Sequence, residues 1–509
     1  MDFLPKSVAP EGVVSSTARK RISRVLAHLQ KQKECKTTCT LHMDPCSSSS
    51  GGDIEDLLKD GKRRVATAPG TGKEIDESWL FNSKRFENVQ RPLLEASTLP
   101  RECYNSRQWY ERELTNVFRP SWVLVGREDE VAEPGMFLSL DLEFAGPIAI
   151  CRGNDMQLHA FANSCRHRGA KILQNKSGKA PSIGMVCPYH AWTYDFDGKL
   201  KWAPRMHNAK DFDEDGIRLA MLKVETFCGF IFVCAAAPGD PRYKPLKEAL
   251  GNISQVLEPW FDPIKGAANN MVCVKRRTYT VECNWKFLME NTCETYHTSV
   301  VHKNSLGPMA ATPVEPHDGD WDAVVVPSER SIVPLPDDFS GKQFPLPAFT
   351  DKTAFANVFP STQVNATWDC LWVMRLLPLG PSTTEIEMMF CFPRDTVKEP
   401  DFNGVLQHYL KRWHIAVTED NTISLNQKKG VMSPFRVPGR FSHLEFGTHN
   451  FNNWLVSRTV DGAARNGWNP GRRVFIGQVV KVDDAEQQKM NKVIDEAEKS
   501  GLLTFREGL

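Results

Sequence analysis

Two short stretches of this chain gather residue types that hold transition metals. Cys165-Arg166-His167 is followed, after nineteen intervening residues, by Cys187-Pro188-Tyr189-His190, so two thiols and two imidazoles lie in two loops. Zinc modules usually pair Cys with Cys and His with His, as C-x₂₋₄-C and H-x₃₋₅-H. Here each loop supplies one of each. That mixture suits a [2Fe–2S] cluster in which two thiolates hold one iron and two imidazoles the other. Neutral imidazole raises the reduction potential above that of an all-Cys cluster, which makes the centre a one-electron relay toward a stronger oxidant. A tetrahedral zinc site built from the same four residues is the alternative.

A second constellation follows in Asn284-Trp285-Lys286-Phe287-Leu288-Met289-Glu290-Asn291-Thr292-Cys293-Glu294-Thr295-Tyr296-His297, with His302 five residues beyond. Helical spacing puts Glu290, Glu294 and His297 on one stripe. His302 would sit about 140° from His297 on a straight helix, so the chain must distort or leave the helix if both are to reach one ion. Asp420 is the third candidate. The stripe Leu406, Leu410, Trp413, Val417, Asp420, Ser424, Gln427 is apolar in its first half and then carries a carboxylate, which is costly in a core unless paired or bound to metal. Two His and one Asp would form a facial triad with open positions, the arrangement of non-haem Fe(II) oxygenases. A solvated polar face with an unrelated His, and an Asp satisfied by Arg or by a helix terminus, are the alternatives.

These residues need elements to position them. Strand-like runs with Gly and Pro punctuation occur at 121–125, 136–140, 147–151, 158–163 and 229–234, and 191–198 reads as a strand entering the Asp197-Gly198 turn. The segment 107–117 has helical spacing, with Trp109, Leu114 and Val117 as its apolar face. From about residue 245 strand-like runs (271–279, 367–377, 384–392) alternate with helix-like ones (285–301, 403–427), which implies an antiparallel sheet around a long helix in an α+β domain.

A length of 509 residues calls for two or three domains. Lys plus Arg is 63 against 62 for Asp plus Glu, a formal net charge of +1, which argues against a dedicated nucleic-acid binder. No run approaches eighteen apolar residues and no secretory signal is visible, so no membrane is involved and a soluble intracellular protein is expected. Residues 12–43 are basic and are followed by Ser47 to Ser50 and Gly51-Gly52. That composition fits either an organelle transit peptide, for a plastid or mitochondrion, or a solvated disordered tail of a cytoplasmic protein. Of the fourteen Cys, most sit among apolar residues as small buried hydrophobes. Cys35, Cys39 and Cys46 with His42 lack any pattern that would pre-form a metal site.

The loop pair C-x-H then C-P-Y-H-x-W, followed by N-W-K-x₃-E-N-x₂-E-x-Y-H-x₄-H, resembles the catalytic α subunit of Rieske non-haem iron oxygenases over roughly residues 93 to 460. The group includes ring-hydroxylating dioxygenases, choline monooxygenase, and betaine or carnitine demethylases. The resemblance implies an α+β fold: an all-β Rieske [2Fe–2S] domain (121–240) inserted in a helix-grip catalytic domain (93–120 and 241–509), after a tail at 1–92. It implies that Cys165 and Cys187 hold one cluster iron, His167 and His190 the other, and that His297, His302 and Asp420 hold a mononuclear Fe(II). Glu294 matches the acid that links a cluster His of one subunit to an iron His of the next, which implies a homotrimer. Four departures stand out: a longer gap between the cluster loops, Glu294 where many members have Asp, Ala191 where Gly is commonest, and the N-terminal tail, which is read from its composition and matches nothing in the family.

A separate NAD(P)H-linked reductase or ferredoxin is implied as electron donor. Gly70-Thr71-Gly72 follows no strand and lacks a third Gly, and no C-x₄-C-x₂-C spacing is present. Trp368 and Trp372 share a strand face, and Trp285 and Trp413 lie close in sequence to the proposed ligands. They could cage a quaternary ammonium group, which leans toward choline-like monooxygenation of a small organic substrate with O₂; an apolar pocket for aromatic-ring dioxygenation, or oxidative N-demethylation, stays open. A Rieske electron carrier without catalysis is the reading from another class.

Overall fold

The computed structural model describes residues 78–261, 271–303, 305–314, 318–328, 352–367, 370–463 and 484–500. Cys35, Cys39, His42, Cys46, the Gly70-Thr71-Gly72 run and Trp368 lie outside these residues.

Alternating apolar residues and frequent turns make the first half a strand-built module. Its strands are β1 (Val123–Arg127), β2 (Met136–Leu142), β3 (Gly146–Arg152), β4 (Leu158–Ala162), β5 (Ser177–Lys179), β6 (Met185–Val186), β7 (Thr193–Tyr194), β8 (Leu200–Trp202), β9 (Met221–Phe227) and β10 (Phe230–Cys234). Seven form an antiparallel sheet in the order β1-β10-β9-β4-β3-β2-β5, and β6-β7-β8 form a small second sheet. Asn163 closes the base of the loop after β4. Its buried Oδ1 accepts the N–H groups of Ile172 and Leu173 at 3.0 and 2.9 Å, and its Nδ2 donates to the Leu173 carbonyl at 2.8 Å and to Ser139 Oγ at 2.9 Å.

The second half holds seven antiparallel strands in the order β11-β17-β16-β15-β14-β13-β12. These are β11 (Met271–Val281), β12 (Thr312–Pro313), β13 (Trp321–Pro327), β14 (Lys352–Val358), β15 (Thr362–Ala366), β16 (Leu371–Gly380) and β17 (Thr383–Pro393). The helices that matter are α1 (Arg107–Glu113), α2 (Trp285–Thr292), α3 (Thr298–Val301), α4 (Phe402–Val431) and α5 (Phe446–Thr459). One face of the sheet, with Trp372, Met374, Met388 and Phe390, packs on Leu406, Tyr409, Leu410 and Trp413 of α4. The other, lined by small residues such as Ala354, Ala356 and Ala366, packs on Leu124 and Phe232 of the first sheet and on the helices Leu246–Leu250 and Ile253–Phe261. The architecture is α+β, an all-β module set within a domain whose sheet grips one long helix.

Three expectations are corrected. A tail reaching residue 92 ends too late: Leu80, Phe81, Phe86 and Val89 are buried, and the rings of Phe81 and Phe86 stack on Trp109 at 5.5 and 5.4 Å. The continuous helix over 285–301 stops at Thr292 and restarts at Thr298. The strand expected from residue 367 begins at Leu371. Strands β13 to β15 and helix α5 did not stand out in the sequence, because strands covered on both faces lose the alternation of a half-exposed one.

The N-terminal segment is joined to α2 by a buried charge network. Glu113 receives Trp109 Nε1–H at 2.7 Å and Trp285 Nε1–H at 2.9 Å, and Lys286 Nζ lies 2.7 Å from its Oε1, with both charged side chains fully buried. Burial pushes the Glu113 carboxyl up from its ordinary range, and Lys286 and the two indoles oppose that rise. Removing one member leaves an uncompensated charge, which costs about 3–5 kcal/mol. Glu113→Leu is therefore expected to lower stability in urea unfolding by at least that amount, and the double variant Glu113→Leu/Lys286→Met to recover only part of it, because the Trp109 and Trp285 N–H groups stay unpaired.

Candidate metal centres

The two cluster loops share one backbone plan. In the first, Cys165 N–H donates to the Ala170 carbonyl (2.9 Å) and Gly169 N–H to the Cys165 carbonyl (2.8 Å); in the second, Cys187 N–H donates to the Trp192 carbonyl (2.8 Å) and Ala191 N–H to the Cys187 carbonyl (3.0 Å). In each, the residue four after the Cys turns the chain through left-handed backbone, Gly169 at φ 72° and Ala191 at φ 59°. Glycine makes that turn freely, whereas alanine pays about 1 kcal/mol, so the family's preference for Gly at this position has a steric cause.

Both thiols are buried and both imidazoles exposed. His167 Nδ1 and His190 Nδ1 face each other at 3.2 Å, near the separation of about 3.4 Å between two nitrogens on a tetrahedral metal with bonds of about 2.1 Å. The Cys165 and Cys187 thiols lie in one buried cluster with Trp192 and Tyr194; Tyr194 Oη is 3.2 Å from Cys165 Sγ, and Trp192 stacks on His167 at 5.0 Å. Sulfur is thus gathered on the inner side and nitrogen on the outer, one ligand type per iron, as a [2Fe–2S] cluster needs. Burial raises the Cys187 thiol, and the N–H groups of Tyr189 and His190 directed at it favour the thiolate.

The second site depends on the break after α2. Asn284 caps its start, accepting Lys286 N–H at 3.1 Å. At its end the Thr292 carbonyl accepts from Asn357 Nδ2 (3.0 Å) and Gln363 Nε2 (3.3 Å), and Gly447 of α5 packs so closely on the Cys293 carbonyl that no side chain would fit. Glu294 Oε2 then accepts the N–H groups of Tyr296 and His297 and opens the next turn. His297 and His302 stand at the two ends of α3.

Each imidazole is held by a carboxylate through Nδ1. Glu294 Oε1 lies 2.6 Å from His297 Nδ1, and Glu419 Oε2, which also receives Ser305 Oγ–H at 2.5 Å, lies 2.7 Å from His302 Nδ1. Both Nε2 atoms are left facing Asp420 Oδ1, at 3.5 and 3.0 Å. That oxygen is buried and accepts no well-aligned hydrogen bond. Donor atoms at right angles around an ion with bonds of about 2.1 Å are about 3.0 Å apart, so His297, His302 and Asp420 could hold one as a facial triad. Burial disfavours charge on His302, yet Asp420 and Glu419 outweigh it and carry its pKa up to about 10. Three carboxylates around two imidazoles make this a place for a cation.

Other expected residues separate. Glu290 turns away from the site, accepting Tyr104 Oη–H at 2.7 Å, and burial pushes its pKa up to about 7 against that bond. Trp285 belongs to the Glu113 network, not to the metal ligands. Trp413 pairs with Trp372, ring centroids 4.2 Å apart. Glu419 and Ser305 carried no sequence signal of their own, although a carboxylate next to a candidate ligand is the residue to ask about.

The sequence model of the Rieske [2Fe-2S] domain matches residues 121–219, and that of the ring hydroxylating alpha subunit catalytic domain matches residues 268–460. The chain belongs to the Rieske non-haem iron oxygenases. The glycine betaine monooxygenase oxygenase subunit of Pseudomonas aeruginosa is 26% identical over 419 residues, 74% of this chain and 92% of the relative. Choline monooxygenase, chloroplastic, of Arabidopsis thaliana is 25% identical over 400 residues, 73% of this chain and 89% of the relative. A quaternary ammonium Rieske monooxygenase solved with an inhibitor superposes with a TM-score of 0.61 at 25% identity, covering 73% of this chain and 98% of that one. The enzyme is an oxidoreductase that incorporates oxygen into a small molecule, carries a [2Fe–2S] cluster and a mononuclear iron, and draws electrons from a separate reductase. Among the described residues no helix is long and apolar enough to cross a membrane.

Two outcomes follow from these geometries. Ala191→Gly relieves the left-handed strain at a small entropic cost and is expected to raise the temperature at which the visible absorbance of the cluster is lost. Glu290 binds its proton more tightly folded than unfolded, so stability falls as pH rises from about 4.5 toward 7. Glu290→Gln should therefore melt above the wild type at pH 8, with the gain vanishing near pH 5 in paired thermal scans.

Proposed function

We propose that this oxygenase hydroxylates a quaternary amine. The convergence of His297, His302 and Asp420 on one point carries the reading, because an electron carrier has no use for a second metal site. The named relatives, all quaternary-amine monooxygenases, favour this substrate class over an aromatic ring. Cys165 and Cys187 would bind one cluster iron, His167 and His190 the other, and the triad the mononuclear Fe(II). When bound, the cluster supplies electrons singly and the mononuclear iron supplies activation of dioxygen.

The chain's own residues do the positioning. Glu294 and Glu419 fix the two imidazoles through Nδ1, which orients Nε2 and raises its basicity. Glu294 would also accept a hydrogen bond from a cluster His of a neighbouring subunit in a trimer. Supporting that assembly, His167 and His190 lie at the surface beside Tyr189, which is 54% exposed, and Tyr296 next to Glu294 is 48% exposed.

Iron and acid-labile sulfide per chain test the assignment. About three irons and two sulfides are expected for anaerobically purified protein, falling to about two irons with sulfide unchanged in His297→Ala, since two irons and two sulfides belong to the cluster. Two irons in both proteins, unaltered by added Fe(II), would overturn it. Glu294→Gln should keep both metal counts and lose turnover with the reductase; an active variant would remove Glu294 from its proposed role. Product from small aromatics but from no quaternary amine would reverse the substrate class.

A further inference from the structure

The α4-facing side of the large sheet carries polar groups that the protein leaves unsatisfied. Asn365 on β15 is fully buried, and neither its Oδ1 nor its Nδ2 has a hydrogen-bond partner. Its direction is fixed by Gln363, two residues away on the same face, which reaches the Thr292 carbonyl. Directly across from Asn365 stands Trp372 on β16, whose ring packs against Trp413 of α4. Both indole Nε1–H groups are buried without a partner. Each such group costs about 1–3 kcal/mol, and native interiors satisfy nine in ten or more of them. Three of these residues in contact therefore point to a partner that arrives from outside.

The chemistry of that partner can be read from the donors. Two indole N–H groups and two amide N–H groups face a single amide oxygen, so the ligand must be rich in acceptors, and a carboxylate is acceptor-only. The sign of charge agrees: the buried Arg412 guanidinium is 5.4 Å from the Trp413 ring and 4.5 Å from that of Tyr409. A trimethylammonium group on the same rings would meet that cation, so the expected aromatic cage is unfavourable at this point. Trp413 precedes Asp420 by two turns of α4, about 10 Å along the axis. A zwitterion can span this interval with its carboxylate at the indoles and its ammonium toward the metal ligands.

Resting on the quaternary-amine reading above, we infer that Asn365, Trp372 and Trp413 bind a substrate carboxylate, so that the enzyme takes betaines and discriminates against choline. Two measurements on the holoenzyme test this: ligand-induced thermal shifts, and single-turnover product yield of the reduced protein mixed with O₂. The probes are γ-butyrobetaine, glycine betaine and choline. Wild type should bind and convert a betaine at concentrations where choline does neither. Asn365→Leu and the milder Trp372→Phe, both with intact cluster absorbance, should weaken betaine binding about tenfold, the loss of about 1.4 kcal/mol of hydrogen bonding, and leave choline unchanged. Equal preference for choline in the wild type, or equal weakening of choline and betaines in both variants, would overturn the inference and leave the quaternary-amine reading standing. If the wild type binds none of the three, that reading falls and the inference with it.

Discussion

Two imidazoles five residues apart cannot meet one ion from a straight helix, and much of the catalytic domain is arranged around that constraint. The helix must stop after Thr292, and each group exposed by stopping has an answer elsewhere in the chain. Asn357 and Gln363 take the Thr292 carbonyl, Glu294 takes the N–H groups that open the next turn, and Gly447 lets α5 close over the gap. The sheet, the motif and the second helix of the core are thus tied to one event in the backbone, and α4 needs only to bring Asp420 opposite.

Charge explains why this pocket selects a cation while the cluster loops select by softness. The mononuclear site crowds Glu294, Glu419 and Asp420 around two imidazoles, and in that setting the carboxylates overcome the cost of burying positive charge on His302. The cluster loops contain no carboxylate among their ligands. They bury sulfur, direct backbone N–H groups toward Cys187, and leave the imidazoles outside. That polarity would suit an electron relay held by these four residues, since the imidazoles are the side that reaches solvent.

The candidate ligands were legible because they are chemically rare and locally spaced. Cys165, His167, Cys187 and His190 sit in loops whose spacing carries the chemistry, and the α4 stripe through Asp420 followed from helical periodicity alone. What could not be read depends on contacts distant in sequence. The break at Thr292 is set by strands 65 and 71 residues away, and no local pattern announces it. Residues 78–92 were grouped with the basic tail before them, yet Phe81 and Phe86 find Trp109 in three dimensions. Ala191 was visible as an oddity, and only its positive φ says what the oddity costs.

Buried polarity in this protein is of two kinds, and the difference separates scaffold from site. Around Glu113 the carboxylate accepts both indole N–H groups and pairs with the Lys286 charge, so the network fixes the join between the N-terminal segment and α2. Around Asn365, Trp372 and Trp413 the same kinds of group are buried and unanswered. A core selected for stability alone would fill that space with carbon, since apolar replacement of an unpaired polar group is neutral or stabilising. Retaining the amide and two indole donors on the side of the sheet that faces Asp420 lowers the stability of the free protein and stores the difference as binding energy for a ligand that supplies the missing acceptors.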